Sequence, residues 1–192
     1  MLPTDEPHSR FTSRRERWLW LSASLVVAAI ALTLVIGPVL AELVRYREVL
    51  DAGFVVGLLL VGATVVALAL HARARGIELG IVLAGVAICT LVVTRAGLSA
   101  AERTHLIEYA ILAALIHAAL EERGANGRPV PHPAITAIVA TTLVGVLDEL
   151  VQAILPGRVF DPIDIAFNTA AAVTAVSLGV ALRWLVARTG WN

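Results

Sequence analysis

Six mostly apolar windows, roughly 19 to 40, 53 to 70, 77 to 94, 105 to 120, 134 to 155 and 163 to 187, recur along the 192 residues with short polar connections between them. About twenty residues at 1.5 Å each make a helix of roughly 30 Å, the thickness of a bilayer's hydrocarbon core. In hydrocarbon the backbone must bond to itself, so the windows predict an all-α, polytopic integral membrane bundle of about six transmembrane helices. Composition supports this, with 58% hydrophobic residues, 16% charged and a mean hydropathy of +0.83. No room remains for a soluble domain. The organisation read from the sequence is a tail at 1–18, one transmembrane domain at 19–187 and a short C-terminal end at 188–192. The fourth window is the weakest, being short and containing His105, Glu108 and His117. Its spacing suits a helix that faces other helices.

The first window follows Arg14, Arg15 and Arg17, and Val39-Leu40-Ala41 resembles a signal-peptidase site. Its apolar run of about 22 residues exceeds the 7–15 of a secretory core, so an uncleaved anchor is expected. Gly37-Pro38 is expected to end or kink that helix. Turn chemistry marks the breaks at 124–129 and 155–158. The one cysteine, Cys89, has no partner and sits in an apolar run, which leaves it a packing role.

Fifteen arginines balance fifteen acids and there is no lysine, so the basic excess that nucleic acid binding requires is missing. Placement says more. With six spans, one side holds ten arginines (10, 14, 15, 17, 73, 75, 123, 128, 183 and 188) and the other holds five (45, 47, 95, 103 and 158). The richer side is cytoplasmic by the positive-inside rule, which predicts a multi-pass protein of the cell membrane with both termini inside. Trp18, Trp20, Trp184 and Trp191 fall at those same ends, where indoles favour the interface.

That topology gathers the remaining polar residues at the outer face. The fifth span carries Asp148, Glu149 and Gln152 in its outer third, and the sixth begins with Asp161, Asp164 and Asn168. The fourth opens with His105, Glu108 and Tyr109, preceded by Arg95, Glu102 and Arg103, and Arg158 lies between the last two spans. A charge at mid-bilayer costs roughly 2.5–3.5 kcal/mol on insertion scales, so such residues face the protein interior and serve a site. Helical spacing pairs Asp148 with Gln152 and Asp164 with Asn168, and groups His105 with Glu108 and Tyr109, so three polar faces can share one pocket. Ala170, Ala171, Ala172 and Ala175 allow close helix approach beneath it.

The segments Glu-Arg-Thr-His-Leu-Ile-Glu-Tyr at 102–109 and Asp-Glu-Leu-Val-Gln at 148–152 resemble the VanZ-like membrane proteins. Members share a His and Tyr opening one helix, then Asp-Glu-x-x-Gln, an Arg, an Asp and an Asn leading the last helix. This chain supplies His105, Tyr109, Asp148, Glu149, Gln152, Arg158, Asp164 and Asn168 in that order, over roughly 95–176. It departs in having Glu102-Arg103 where the family often has a lysine, and Ala171 where a glycine is common. The resemblance implies a link to low-level resistance to the glycopeptide teicoplanin, and implies no defined reaction.

Three chemistries fit these residues. Arg95, Arg103 and Arg158 suit a phosphate or pyrophosphate head group, with the carboxylates positioning them. Alternatively, His105 or Glu149 suits a general base in a membrane-embedded enzyme acting on a lipid-linked phosphate or cell-wall precursor. Ion or proton movement is the third, disfavoured because the polar residues cluster on one side. A divalent metal held by several of Asp148, Glu149, Asp161, Asp164 and His105 is one version of the catalytic reading, disfavoured because no standard metal-ligand spacing is present, and no metal or other cofactor is expected. Membrane lipids are the expected surroundings, and a lipid-linked or wall precursor the candidate ligand. Plainer roles exist. Asp161-Pro162 reads as a helix cap with a first-turn proline, Arg158 with Asp161 or Asp164 as an interhelical salt bridge, and His71 and His117 as solvated or interfacial residues.

Overall fold

The computed structural model describes residues 10–42, 66, 79–80, 83–87, 100–155 and 158–189. Four long helices dominate: α1 (Arg14–Glu42), α2 (Ala100–Ala125), α3 (Pro133–Gln152) and α4 (Pro162–Thr189). No strand occurs among the described residues. Three stretches are long and apolar enough to cross a membrane, Arg14–Leu34, Pro133–Gln152 and Pro162–Trp184, with mean hydropathies of 1.7, 1.8 and 1.8. They answer the first, fifth and sixth windows. The second and third windows lie outside the described residues, apart from helical positions at 66, 79–80 and 83–87.

Local chemistry sets the helix ends. Ser13 caps α1, its Oγ accepting the Glu16 backbone N–H at 2.9 Å. Gly37-Pro38 does not end α1, which continues to Glu42. Proline's fixed φ is helical, so the helix can run through it, at the cost of the bond to the Leu34 carbonyl and crowding of that carbonyl by the ring. α2 stops where Gly127 takes φ +82°, a left-handed conformation that glycine adopts without strain. The Arg128 N–H then closes the turn on the Arg123 carbonyl at 3.1 Å. α3 opens on Pro133, where the missing N–H has no intrahelical partner to lose.

α2 is the central helix, packed against α1, α3 and α4, with α3 also packed on α4. Contacts near the helix ends give the directions. Glu16 of α1 meets Arg123 near the end of α2, so these two run antiparallel. Glu121 of α2 pairs with Arg183 late in α4, so α2 and α4 run parallel. Residues 10–16 and Arg183 therefore lie at one end of the bundle. Between the helices the core is built from Ala23, Leu112, Ala113, Ile116, Ala137, Ala172 and Val176. Alanine at four of these places lets the helices approach closely.

α3 is inverted relative to a helix of a water-soluble protein. Ala137, Thr141, Gly145, Asp148, Glu149 and Gln152 are buried. Ile135, Val139, Leu143, Leu147 and Leu150 are exposed at near-helical repeat. Polar side chains inside with branched aliphatics outside is the arrangement a lipid solvent selects, because lipid leaves the apolar face nothing to hide from.

The end of the bundle that holds residue 10 is fastened by a polar latch. Glu16 is fully buried by its own partners near the protein's edge. Its Oε2 accepts from the Thr12 N–H and the Thr12 hydroxyl at 2.6 Å each, and its Oε1 from Arg123 Nε at 2.8 Å. Arg123 Nη2 also donates to the Arg10 carbonyl at 2.7 Å, and the Ser13 hydroxyl donates to Glu122 at 2.8 Å. Bonds to charged groups are worth about 1.5–3 kcal/mol each. Arg123→Ala is accordingly expected to lower stability in detergent by about 2 kcal/mol and to speed tryptic cleavage at Arg10 to Arg15. Unchanged melting and digestion would show that the latch holds nothing.

Candidate functional site

At the opposite end, the start of α2, the end of α3 and the start of α4 enclose a pocket lined by His105, Leu106, Asp148, Glu149, Gln152, Asp164, Phe167 and Asn168. Three helices bring these together because α3 runs against α2 and α4, so its last turns face their first. The cavity measures about 20 Å³. That holds one water-sized group. Six of the nine residues expected at the site line it. Tyr109 is fully buried beside them, and Glu108 faces His105, with His105 Nδ1 at 3.5 Å from Glu108 Oε2.

The adjacent carboxylates Asp148 and Glu149 do different things. Glu149 is 1% exposed and both its oxygens are engaged. Oε1 accepts from Gln152 Nε2 at 2.9 Å, and Oε2 accepts from the Asp161 backbone N–H at 2.9 Å. Glu149 thus ties the end of α3 to the entry of α4, which leaves it poorly placed for the general-base role. Asp148 is 5% exposed, and its Oδ1 has no hydrogen-bond partner. It lies within electrostatic reach of His105, Tyr109 and Arg158. Arg158 Nε is likewise buried without a hydrogen-bond partner, while His105 Nδ1 and Glu108 Oε2 have only each other at 3.5 Å. A finished structural network leaves few such atoms.

Asp161 is a cap, as the sequence suggested: its Oδ1 accepts the Ile163 N–H at 2.8 Å, with Pro162 in the first turn. Asp164 and Asn168 lie one turn apart on the pocket face of α4. Arg95 and the Arg103 side chain lie outside the described residues. Of Ala170, Ala171, Ala172 and Ala175 on α4, Ala172 is fully buried, while Ala170 points outward.

Sequence reasoning missed Leu106, Phe167 and, above all, Gly145. A Cβ on Gly145 would lie 3.5 Å from Asn168 Cβ, Asn168 Nδ2 and Tyr109 Cε1, so this glycine marks where α2, α3 and α4 converge under the pocket. The signal was present, since Gly145 lies three, four and seven residues before Asp148, Glu149 and Gln152 on the same helix face.

His117 corrects another expectation. It is 3% exposed, well inside the bundle. Nδ1 lies 3.1 Å from Arg183 Nη2, Nε2 lies 3.4 Å from Glu121, and Arg183 pairs with Glu121. The partners Glu121 and Arg183 take it out of solvent and lipid alike. This second polar layer is cut off from the pocket by Leu112, Ala113, Ile116, Ala172 and Val176, all buried.

These features define a multi-pass membrane protein: helices that are apolar outside, around a buried pocket of acids, amides and a histidine at one end. The chain belongs to the VanZ/LLP1 family, whose model matches residues 11–183. That match takes in α1 as well as the 95–176 stretch that carries the motifs. No curated protein and no solved structure gives a significant match.

Proposed function

We propose that this VanZ/LLP1 protein binds a cell-envelope component at the pocket between α2, α3 and α4, on the outer side of the membrane, and thereby alters sensitivity to glycopeptides such as teicoplanin. The observation that carries the reading is the set of polar side chains gathered at one cavity, His105, Asp148, Glu149, Gln152, Asp164 and Asn168, with one Asp148 oxygen left without a hydrogen bond. Each unsatisfied buried group costs about 1–3 kcal/mol, a burden that stability alone gives no reason to keep. The outward orientation rests on the ten arginines assigned to the other side.

The test is Asp148→Asn, with protein abundance and teicoplanin susceptibility measured together in a host made less susceptible by the wild-type protein. The substitution keeps shape and removes charge, and is expected to abolish the protection at unchanged abundance. Wild-type protection from the variant would remove Asp148 from the site. A second reading, an enzyme acting on a lipid-linked phosphate or wall precursor, draws on His105 and Asp148 flanking a cavity that admits one water, the reach a general base needs. A new lipid product, seen by mass spectrometry when purified protein is mixed with envelope lipids, would favour the enzyme.

A further inference from the structure

The ionic character of the pocket narrows the ligand, on the reading that an envelope component binds there. Three carboxylates, Asp148, Glu149 and Asp164, line the cavity, together with His105 and the amides Gln152 and Asn168, and neither arginine nor lysine does. A phosphate would meet like charge there. What the lining lacks is a permanent cation. Asp148 is 5% exposed, lines the cavity beside Tyr109 and Gln152, and keeps one oxygen, Oδ1, without a hydrogen-bond partner. A cavity of about 20 Å³ admits a group the size of water. A primary ammonium fits that size, carries the complementary charge and brings three N–H donors. A trimethylated ammonium fits neither in volume nor in donors.

The surroundings add two further matches. Arg158 stands beside the pocket with its Nε buried and without a hydrogen-bond partner, in the α3–α4 connection. A guanidinium with open donors suits a phosphate. On the same end of the bundle, Ile154 and Val159 are 80% and 81% exposed, and Phe160 and Ile163 are exposed as well. Such a surface suits acyl chains.

We infer that the pocket binds the head group of a primary-amine phospholipid, the ammonium entering the cavity against Asp148, the phosphate on Arg158 and the chains along Ile154, Val159, Phe160 and Ile163. The ligand class is the phosphatidylethanolamine type.

Full-length protein in a neutral detergent is mixed with vesicles of phosphatidylethanolamine, phosphatidylcholine and phosphatidylglycerol, and the retained lipid is quantified by mass spectrometry. The expected result is enrichment of phosphatidylethanolamine over phosphatidylcholine by about tenfold, the scale of one charge-assisted hydrogen bond. Retention is expected to fall stepwise with mono-, di- and trimethylation of the amine, a series that needs no variant. Asp148→Asn is expected to return the ratio to that of the vesicles. Equal retention of the lipids, preference for phosphatidylglycerol, or full displacement by an equal concentration of soluble phosphoethanolamine would each overturn the assignment. If Asp148→Asn changes teicoplanin susceptibility while wild type shows no head-group preference, the lipid assignment falls and the envelope site stands. If the preference is present and lost in the variant while susceptibility stays put, the lipid assignment holds and the glycopeptide link falls.

Discussion

Glu149→Ala is expected to lower the stability of the bundle by about 3 kcal/mol, more than any other single change in the pocket lining. The side chain accepts from Gln152 Nε2 and from the Asp161 N–H, both at 2.9 Å, in a place where it is 1% exposed. Alanine leaves two buried donors unsatisfied, at about 1–3 kcal/mol each, offset in part by relief of the carboxylate's own desolvation. Glu149→Gln keeps one acceptor and should lose roughly half as much. At the neighbouring position the sign changes. Asp148→Asn removes a charge whose Oδ1 had no partner, so its melting temperature is expected to equal or exceed that of wild type while binding is lost. Thermal unfolding of the three purified variants in one detergent checks this. A Glu149→Ala protein that melts with wild type would show that the α3–α4 tie is not structural.

Gly145 gives the second large effect, and a graded one. Its added Cβ would meet Asn168 and Tyr109 at 3.5 Å, an ordinary van der Waals distance, so alanine fits without movement. Gly145→Ala should gain up to about 1 kcal/mol from helix propensity alone. Gly145→Val places two further carbons where Asn168 and the Tyr109 ring already stand, and overpacking of this kind costs about 1–3 kcal/mol. Moving Asn168 and Tyr109 also opens the pocket, so protection is expected to survive alanine and fail with valine. Melting temperature and susceptibility, measured on both variants, report the two effects separately. Full function in the valine variant would contradict a three-helix junction at this point.

The sequence made the pocket legible because the information needed was periodic. His105 with Tyr109, Asp148 with Gln152 and Asp164 with Asn168 each repeat at one helical turn, and an alternating up-and-down path brings those three helix ends together. The windows at 134–155 and 163–187 located α3 and α4 to within a few residues, and Asp161-Pro162 announced the start of α4. The division of labour between Asp148 and Glu149 was not legible. They are adjacent in sequence and alike in type, and what separates them is a backbone N–H at Asp161, twelve residues on, whose position depends on the folded connection. His117 was misread for a related reason, because Arg183 is 66 residues away and looked like a topological charge. Hydropathy also ranked α2 lowest of the four helices in the structure, although it is the one all the others touch. Its polar groups are satisfied or sheltered by neighbours, which an average over its own residues does not register.

The central place of α2 bears on how the protein reaches the membrane. Within 26 residues it carries Glu102, Arg103, His105, Glu108, His117, Glu121, Glu122 and Arg123. A charge at mid-bilayer costs roughly 2.5–3.5 kcal/mol, so this helix is costlier to place in lipid alone than α1, α3 or α4, which carry the three candidate spans among the described residues. During synthesis it emerges before α3 and α4, which supply the pocket facing His105 and the arginine beside His117. Its shelter therefore comes from α1, α3 and α4 together, and the candidate pocket is complete only once the last two helices stand beside it.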